Sequence, residues 1–377
     1  MANKSNNIFD GNNPPVGADS VDNNNLTQKD NLSLLNESAN EEIVFLDNKP
    51  SNKKVKAKKI KTKKIKDNDG YEKVSFLKRI RTLVILLVLG IFTGSGVGVW
   101  YYNNLLRSNV DYDTLFAEAA AYETDYDELF SSKLSITSNN DKENWVAIAS
   151  SQEKTPASFS AIDNFALAEW NAYHSSTFSV IGHGSVLTLG VKQGIYSARK
   201  FDGSKYTFES ISSGVISVVS ADSFVKNSNE VKQYSGSNVK GDTATWKYNN
   251  SVSLDEYVNA VGNKPSVIHP YIISSKTLKE STDVVFDEET ETYSFTLVLD
   301  NVLSVIRYAR QVKKTGGLGS YPEFSKVVQK VVIDKNWNIV SVDIEETYSA
   351  VAFGMKVSCS GTLFCEYSFN GEVEMNI

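Results

Sequence analysis

The hydrophobic and polar positions of the chain follow three different patterns along its length. Residues 1–81 hold only short apolar groups among polar and charged residues, whereas residues 82–106 contain no charged side chain. From residue 107 onward apolar positions recur first at helical spacing and then, after residue 176, at every second position. The pattern therefore predicts a polar tail, one long apolar helix and a large domain of mixed α and β structure.

Four helices are predicted in the large domain from apolar spacing and capping residues. The polar, Ser- and Asn-rich residues 131–158 are predicted to form a loop. The predicted helices are 113–130, a stretch after Ser160, a stretch capped by Ser253 and ended by Gly262, and a stretch capped by Asn301 and ended by Gly316.

The segments between these helices alternate apolar and polar residues, as in Tyr293–Leu299, and are joined by turn residues such as Asp202-Gly203. Short alternating segments that follow one another indicate an antiparallel meander with one solvent-facing side. The predicted fold class is α+β, in which helices cover the apolar face of a curved antiparallel sheet.

The apolar stretch Leu83–Tyr102 is long enough to cross a membrane. Its sequence, LVILLVLGIFTGSGVGVWYY, would extend about 30 Å as a helix. Trp100, Tyr101 and Tyr102 stand at one end, where aromatic rings favour the membrane interface. A cleaved signal peptide is the competing interpretation, but its apolar part would be shorter and would not follow some eighty polar residues. We therefore expect an uncleaved span at 82–106.

Charge next to this stretch predicts its orientation. Residues 53–81 carry 13 basic and 3 acidic side chains, whereas residues 107–377 carry 23 basic and 34 acidic ones. The positive-inside rule then places the N-terminus in the cytoplasm and the large domain outside a bacterial cell membrane. The basic residues that we expect at the membrane surface are Lys53, Lys54, Lys56, Lys58, Lys59, Lys61, Lys63, Lys64, Lys66, Lys78, Arg79 and Arg81.

Two interpretations stay open for each of two features near the membrane. The basic residues either bind anionic lipid headgroups at the cytoplasmic surface or serve only as a topology signal. Gly90, Gly94 and Gly98 lie on nearly one helix face, which permits self-association of two spans, although glycine is also common in membrane helices.

Composition completes the division into domains. The whole chain has 39 Lys and Arg against 45 Asp and Glu, and 41% of its residues are hydrophobic, which excludes a wholly disordered chain and a nucleic-acid binder defined by net charge. We predict a disordered cytoplasmic tail at 1–81, a transmembrane helix at 82–106, a helical stalk or loop at 107–159 and an extracytoplasmic α+β domain at 160–377.

No motif for catalysis, metal binding or a cofactor is found. His174, His183 and His269 are not spaced with a second histidine or a carboxylate as metal motifs require, and no nucleophile elbow is present. We therefore predict no catalytic residues, no metal and no cofactor. Cys359 and Cys365 can form a disulfide only if residues 360–364 make a hairpin loop, because on one strand they would stand about 20 Å apart.

The order of elements resembles the LolA/LppX-type lipoprotein carriers over roughly residues 160–370. The helix ending in Ala168-Glu-Trp-Asn-Ala-Tyr173 leads into a meander with Gly182-His-Gly-Ser-Val186, Gly194-Ile-Tyr-Ser-Ala-Arg199 and the turn Phe201-Asp-Gly203. The resemblance implies an open half-barrel that wraps around helices and encloses an apolar pocket for acyl chains. Carriers of this kind usually lack a retained span, so the predicted tail and span depart from the pattern.

Three functional hypotheses follow. The first is a non-enzymatic, membrane-anchored protein that binds lipid or another hydrophobic ligand in an apolar cavity between the sheet and the helix at 301–315. The second is a protein-interaction or sensing module of the cell envelope with a reporting cytoplasmic tail, which would show a surface groove instead of a pocket. The third, a cell-wall hydrolase or transferase, would need convergent carboxylates or a Cys–His pair, and the sequence shows neither.

Overall fold

The computed structural model describes residues 108–213, 217–352 and 355–377. The predicted span at 82–106, with Gly90, Gly94 and Gly98, and the basic residues at 53–81 lie outside these ranges. Within the described residues, no helix combines the length and the apolar character that crossing a bilayer requires.

The described chain forms one twelve-stranded antiparallel sheet with seven α-helices and two 3₁₀ helices. The strands are β1 Phe178–Thr188, β2 Val191–Phe201, β3 Lys205–Ser213, β4 Val218–Val225, β5 Glu230–Lys240, β6 Thr243–Ser253, β7 Leu278–Ser281, β8 Val285–Asp287, β9 Thr292–Leu299, β10 Glu323–Asp334, β11 Ile339–Ala352 and β12 Met355–Phe369. The α-helices are α1 Tyr112–Ala117, α2 Tyr126–Leu134, α3 Asn139–Glu143, α4 Trp145–Ser151, α5 Ala161–His174, α6 Leu254–Val261 and α7 Ile306–Thr315. The 3₁₀ helices are Ala119–Tyr122 and Pro156–Ser158.

The predicted α+β class and antiparallel meander are confirmed. The strand order is β6-β5-β4-β3-β2-β1-β12-β11-β10-β9-β7, with β8 paired to β9. Most neighbours are consecutive in the chain, but β1 pairs with β12 from Phe178↔Phe369 to Thr188↔Cys359. This one pairing joins the two halves of the meander into an open, curved sheet.

The helices pack on one face of the sheet, which is called the inner face below. Its side chains alternate with exposed ones, as in β9, where Tyr293, Phe295, Leu297 and Leu299 are all buried. The largest core cluster combines these side chains with residues of α2, α4 and α5. On the opposite, outer face the β5–β6 hairpin bends back, so that Trp246 packs near Tyr196.

The N-terminal part of the domain is more helical than predicted. Instead of one helix at 113–130, the chain forms α1, a 3₁₀ turn and α2, and α2 ends only at Leu134. The predicted loop at 131–158 contains α3 and α4, so that prediction is wrong. Ser138 caps α3 by accepting from the Asp141 amide, and Trp145 at the start of α4 is almost fully buried. Tertiary burial of one large side chain outweighs the polar composition of the segment.

Two predicted helix starts are confirmed, and one is wrong. Ser160 caps α5 and Ser253 caps α6, each accepting from the amide three residues later. Asn301 does not cap the last helix. The Asp300 carboxylate accepts from the amides of residues 302 and 303, which keeps them in a turn, and α7 begins at Ile306.

Helix α7 is held between its neighbours by Arg310. One guanidinium nitrogen of Arg310 donates to the backbone oxygen of Asn259 in α6, and the other donates to Asp113 in α1, each at 2.6 Å. At the end of α6, Gly262 adopts φ +88°, and a side chain there would lie 2.4 Å from the carbonyl oxygen of Arg307. The backbones of α6 and α7 therefore approach closely at this point.

The two cysteines do not form the arrangement that a disulfide needs. Cys359 and Cys365 both lie on the continuous strand β12, and residues 360–364 between them are extended instead of forming a hairpin loop. Both are buried free thiols.

Candidate ligand-binding site

The main candidate site is a cavity of about 250 Å³ between α7 and the inner face of the sheet. Strands β1 to β4, β11 and β12 form its floor, and α7 with the segment 268–271 forms its roof. Most of the lining is apolar, and the apolar residues include Val180, Val186, Ile195, Phe208, Val312, Leu318, Ile344 and Val357. A largely apolar, preformed cavity with a few polar groups is the usual form of a small-molecule site, although this one is slightly below the common size range of about 300–1,000 Å³.

The cavity is open at one edge of the sheet. Along β2 the inward side chains of Gln193, Ile195 and Ser197 are half-buried, whereas that of Arg199 is buried. The more exposed positions lie toward the turn at 189–190 that joins β1 to β2. The strands end at this turn, and we call this end of the sheet the hairpin edge. The mouth of the cavity is therefore at the hairpin edge, and Arg199 lies at the deep end.

Glu346 is a buried carboxyl group on the floor of the cavity. It is 8% exposed, and its two oxygens accept from the hydroxyls of Tyr271 at 2.9 Å and Tyr308 at 3.2 Å. Burial raises the pKa of Glu346 to about 7, and the two tyrosine hydrogen bonds only partly oppose this effect. No cation of the described chain lies within ion-pair distance of this carboxyl group.

Arg199 is a buried guanidinium at the deep end. It donates to the side-chain oxygen of Gln311 at 2.9 Å and to the backbone oxygen of Val267 at 3.3 Å, and it stacks on the ring of Phe208 at 4.0 Å. Burial lowers the pKa of this guanidinium from its usual value, because the charged form is the one that loses hydration. Among the described residues, no carboxylate forms an ion pair with it.

His269 forms a second polar group beside the roof. Its Nε2 lies 2.8 Å from Oε1 of Glu169, whose other oxygen accepts from the Tyr126 hydroxyl at 2.7 Å. In the described chain no serine hydroxyl or cysteine thiol forms a hydrogen bond with this imidazole, and its Nδ1 has no partner. The pair therefore lacks the nucleophile that a catalytic triad would need.

The two cysteines line the floor of the cavity without being activated. The Thr188 hydroxyl donates to the Cys359 sulfur at 3.3 Å. Burial raises the pKa of Cys359 and raises that of Cys365 to about 12, which disfavours the thiolate that nucleophilic attack requires.

The structure keeps the other two histidines apart from this site. His174 stacks on Trp170 at the end of α5, and His183 lies on the outer face, 3.8 Å from Asp242. Within the described ranges, no group of three His, Cys, Asp or Glu residues is arranged to hold a metal ion. The predicted membrane-surface and helix-packing residues fall outside those ranges.

Sequence reasoning missed Arg199, Glu346, Tyr271 and Tyr308. One signal was present for Glu346, because it continues the inward alternation of Val342, Ile344, Tyr348 and Ala350 as the only charged member. A charged residue at a core-facing position of a strand is uncommon and points to a functional or strained site. Arg199 follows a weaker pattern, since Gln193 and Ser197 precede it on the same face.

Comparisons with known proteins give little further information. No family model matches the chain, and no curated protein matches it. Among solved structures, a DUF1329 family protein from Desulfovibrio piger is 10% identical with a TM-score of 0.21, covering 57% of this chain and 92% of its own. An inactive mutant of the CurK dehydratase is also 10% identical, with a TM-score of 0.12 and coverages of 56% and 84%. Similarity at this level supports no functional argument.

Proposed function

We propose that this chain is a membrane-anchored protein whose outer domain binds a lipid or another acyl-chain ligand. The cavity between α7 and the inner face of the sheet is the observation that carries the proposal. The sequence predicted an apolar cavity between the sheet and a helix at 301–315. The observed cavity lies between the sheet and α7, which forms the later part of that segment. Its largely apolar lining favours the burial of an apolar ligand, and its few polar groups can orient one.

The membrane part of the proposal rests on the sequence. Residues 82–106 would span the membrane once, with the N-terminal tail in the cytoplasm of a bacterial cell and residues 107–377 outside. The sheet would act as a half-barrel whose concave side holds the helices, as the resemblance to the LolA/LppX-type carriers implies. The basic residues at 53–81 would contact anionic headgroups on the cytoplasmic side.

The test compares the lipids that co-purify with three forms of the full chain in a mild detergent. Ser210 is half-buried and lines the cavity on β3, whereas Ser213 on the same strand is exposed and does not line it. Ser210→Phe would fill the cavity, and Ser213→Phe adds the same ring outside it. Lipid bound around the span is common to all three proteins and cancels in the comparison.

We expect mass spectrometry to detect a lipid species that is retained by the wild type and by Ser213→Phe but depleted from Ser210→Phe. Equal lipid content in the three proteins would overturn the proposal. The interaction-module hypothesis would then account better for the domain.

A further inference from the structure

The deep end of the cavity carries a positive charge that the described chain does not neutralise by contact. Arg199 is 8% exposed, and both of its identified acceptors, Gln311 and the Val267 carbonyl, are uncharged. Burying a charge is costly unless it is paired, so an unpaired cation in an apolar cavity is a candidate contact for an anionic ligand.

The carboxyl groups of the described chain near the cavity are already engaged elsewhere. Glu346 accepts from two tyrosine hydroxyls, and Asp222 accepts from the Tyr257 hydroxyl at 2.9 Å. Asp222 influences Arg199 electrostatically without forming an ion pair with it. Glu169 accepts from the Tyr126 hydroxyl at 2.7 Å, and its other oxygen lies 2.8 Å from Nε2 of His269. In the described chain the guanidinium therefore lines the cavity without a carboxylate in ion-pair contact.

We infer, on the basis of the proposed ligand-binding function, that the cavity selects single-chain amphiphiles with an anionic headgroup, and that Arg199 binds this headgroup. A guanidinium offers a planar set of donors that matches a carboxylate or a phosphate. The acyl chain then runs from Arg199 past Ile195 and Val186 toward the hairpin edge, where the lining becomes more exposed.

Photolabelling of the full chain in membrane vesicles tests this inference. The probe is a palmitic acid with a photoactivatable group and an alkyne in its chain, and mass spectrometry maps the labelled peptides. The competitors are unlabelled palmitate, palmitoyl lysophosphatidate and methyl palmitate. Palmitate and lysophosphatidate distinguish a carboxylate from a phosphate headgroup, whereas the methyl ester has the same chain without a charge.

We expect palmitate or lysophosphatidate to displace the probe from peptides of β1, β2 and β12 at least about tenfold more effectively than methyl palmitate. A hydrogen bond to a charged group contributes enough binding free energy for a difference in affinity of this size. In Arg199→Gln this preference should vanish while the ester still competes, and Arg199→Lys should retain part of it. Equal competition by acid and ester in the wild type would overturn the inference and leave ligand binding intact. Absence of any cavity labelling would instead contradict the proposed function.

A second inference concerns the mouth of the cavity and rests on different residues. Leu187, Leu189 and Val191 at the β1–β2 hairpin are 46%, 67% and 42% exposed, and Met355 at the start of β12 is 51% exposed. All four lie at the hairpin edge, since Thr188 pairs with Cys359 and β12 continues beyond it toward Met355. Exposed apolar side chains gathered at one edge indicate an interaction surface.

The start of the described chain lies at the same edge. The Asn109 amide donates to the Glu323 carboxylate at 2.7 Å, and Glu323 pairs with Ser349 near the end of β11 that meets Met355. The uncharged stretch ends at Leu106, two residues before Ser108, and two residues span at most about 7 Å. A span that ends at Leu106, as proposed, would therefore end close to the hairpin edge.

We propose that the hairpin edge, with Leu187, Leu189, Val191 and Met355, rests on the outer surface of the membrane in which the chain is anchored. This docking surface depends on the predicted span and holds whether or not the cavity selects anions. It would place the mouth of the cavity against the bilayer.

The test introduces a fluorescent amino acid at position 189 or at position 285 of the full chain in lipid nanodiscs. Val285 is 59% exposed and pairs with Ser294 near the other end of the strands, which makes it the matched control. Quenching by lipids that carry a spin label in the acyl chain should be strong at position 189 and weak at position 285. Equal quenching at both positions would overturn the docking surface.

Discussion

The Tyr271 hydroxyl donates to Oε2 of Glu346 across 2.9 Å and thereby connects the roof of the cavity to its floor. Tyr271 belongs to the roof segment 268–271, whereas Glu346 belongs to β11. Tyr308 of α7 makes the same connection to the other carboxyl oxygen at 3.2 Å. The height of the cavity at this point is thus fixed by two hydrogen bonds to one buried carboxyl group.

Replacement of Glu346 by Gln should change how stability depends on pH. The unfolded carboxyl group loses its proton near pH 4.5 and the folded one near pH 7, so ionisation opposes folding between these values. The free energy of unfolding of the wild type should therefore fall as pH rises from 4.5 to 7. At pH 8 Glu346→Gln should be more stable than the wild type by on the order of 2–3 kcal/mol, and near pH 4 the difference should disappear.

Denaturant unfolding at a series of pH values measures this difference, and Glu345→Gln is the control. Glu345 is exposed and paired with Lys326, so its replacement should have a small effect at any pH. Asp222, whose pKa burial raises to about 6, contributes a slope of the same sign to all three proteins. A constant offset between Glu346→Gln and the wild type across the pH range would contradict the prediction.

Asn164 is expected to be critical for stability. It is fully buried in α5, accepts from the Trp337 indole at 2.7 Å and donates to the backbone oxygens of Pro156 and Phe159. Asn164→Leu would leave an indole donor and two carbonyl acceptors without partners, at a cost of about 3 kcal/mol or more. Thermal unfolding monitored by the buried tryptophans checks this, with Asn140→Leu on the exposed surface of α3 as the control. Similar losses in both variants would mean that the bonds of Asn164 contribute little.

The two cavity thiols should react slowly in the folded protein. Burial raises the pKa of Cys365 to about 12 and also raises that of Cys359, so the thiolate fraction near neutral pH is very small. Alkylation followed by mass spectrometry should give little modification without denaturant and two modified cysteines after unfolding. The unreduced protein should give the same two modifications, and the loss of both would reveal a disulfide and contradict the arrangement on β12.

Two glycine variants can separate the contribution of the close approach of α6 and α7 to stability from that of backbone strain. Gly262 and Gly317 both have positive φ, but a side chain at 262 would meet the Arg307 carbonyl at 2.4 Å, whereas nothing lies within 4 Å of one at 317. Gly317→Ala should cost about 1 kcal/mol from the left-handed conformation alone. Gly262→Ala should cost clearly more, since α6 and α7 must also move apart. Equal costs in denaturant unfolding would show that the two helices can separate freely.

Local features of the sequence predicted much of the fold. Ser160 and Ser253 mark helix starts because capping depends on residues only three positions apart. The alternation in Tyr293–Leu299 predicted a strand with one buried side, because this pattern too depends only on residues close together in the sequence. By contrast, α3 and α4 were missed because burial of Trp145 against Phe130 and Trp337 stabilises them, and this burial depends on residues distant in the sequence.

The site could be predicted less well than the fold. Its location between the sheet and the last helix follows from the layers, but its polar groups depend on strand order. Arg199 and Glu346 are brought to one cavity because β1 pairs with β12, a register between residues almost two hundred positions apart. No short-range pattern predicts that pairing, so the sequence alone could not identify these two side chains as neighbours of one ligand site.

The contacts of Arg310 give the roof of the cavity a mechanical connection to the start of the domain. Because its guanidinium donates to both Asp113 of α1 and the Asn259 carbonyl of α6, a displacement of α7 would strain or break these contacts with α1 and α6. Helix α1 begins only a few residues after the predicted span. A bulky guest that lifts the roof would therefore also displace α1, and filling of the cavity would be transmitted to the N-terminal start of the described domain.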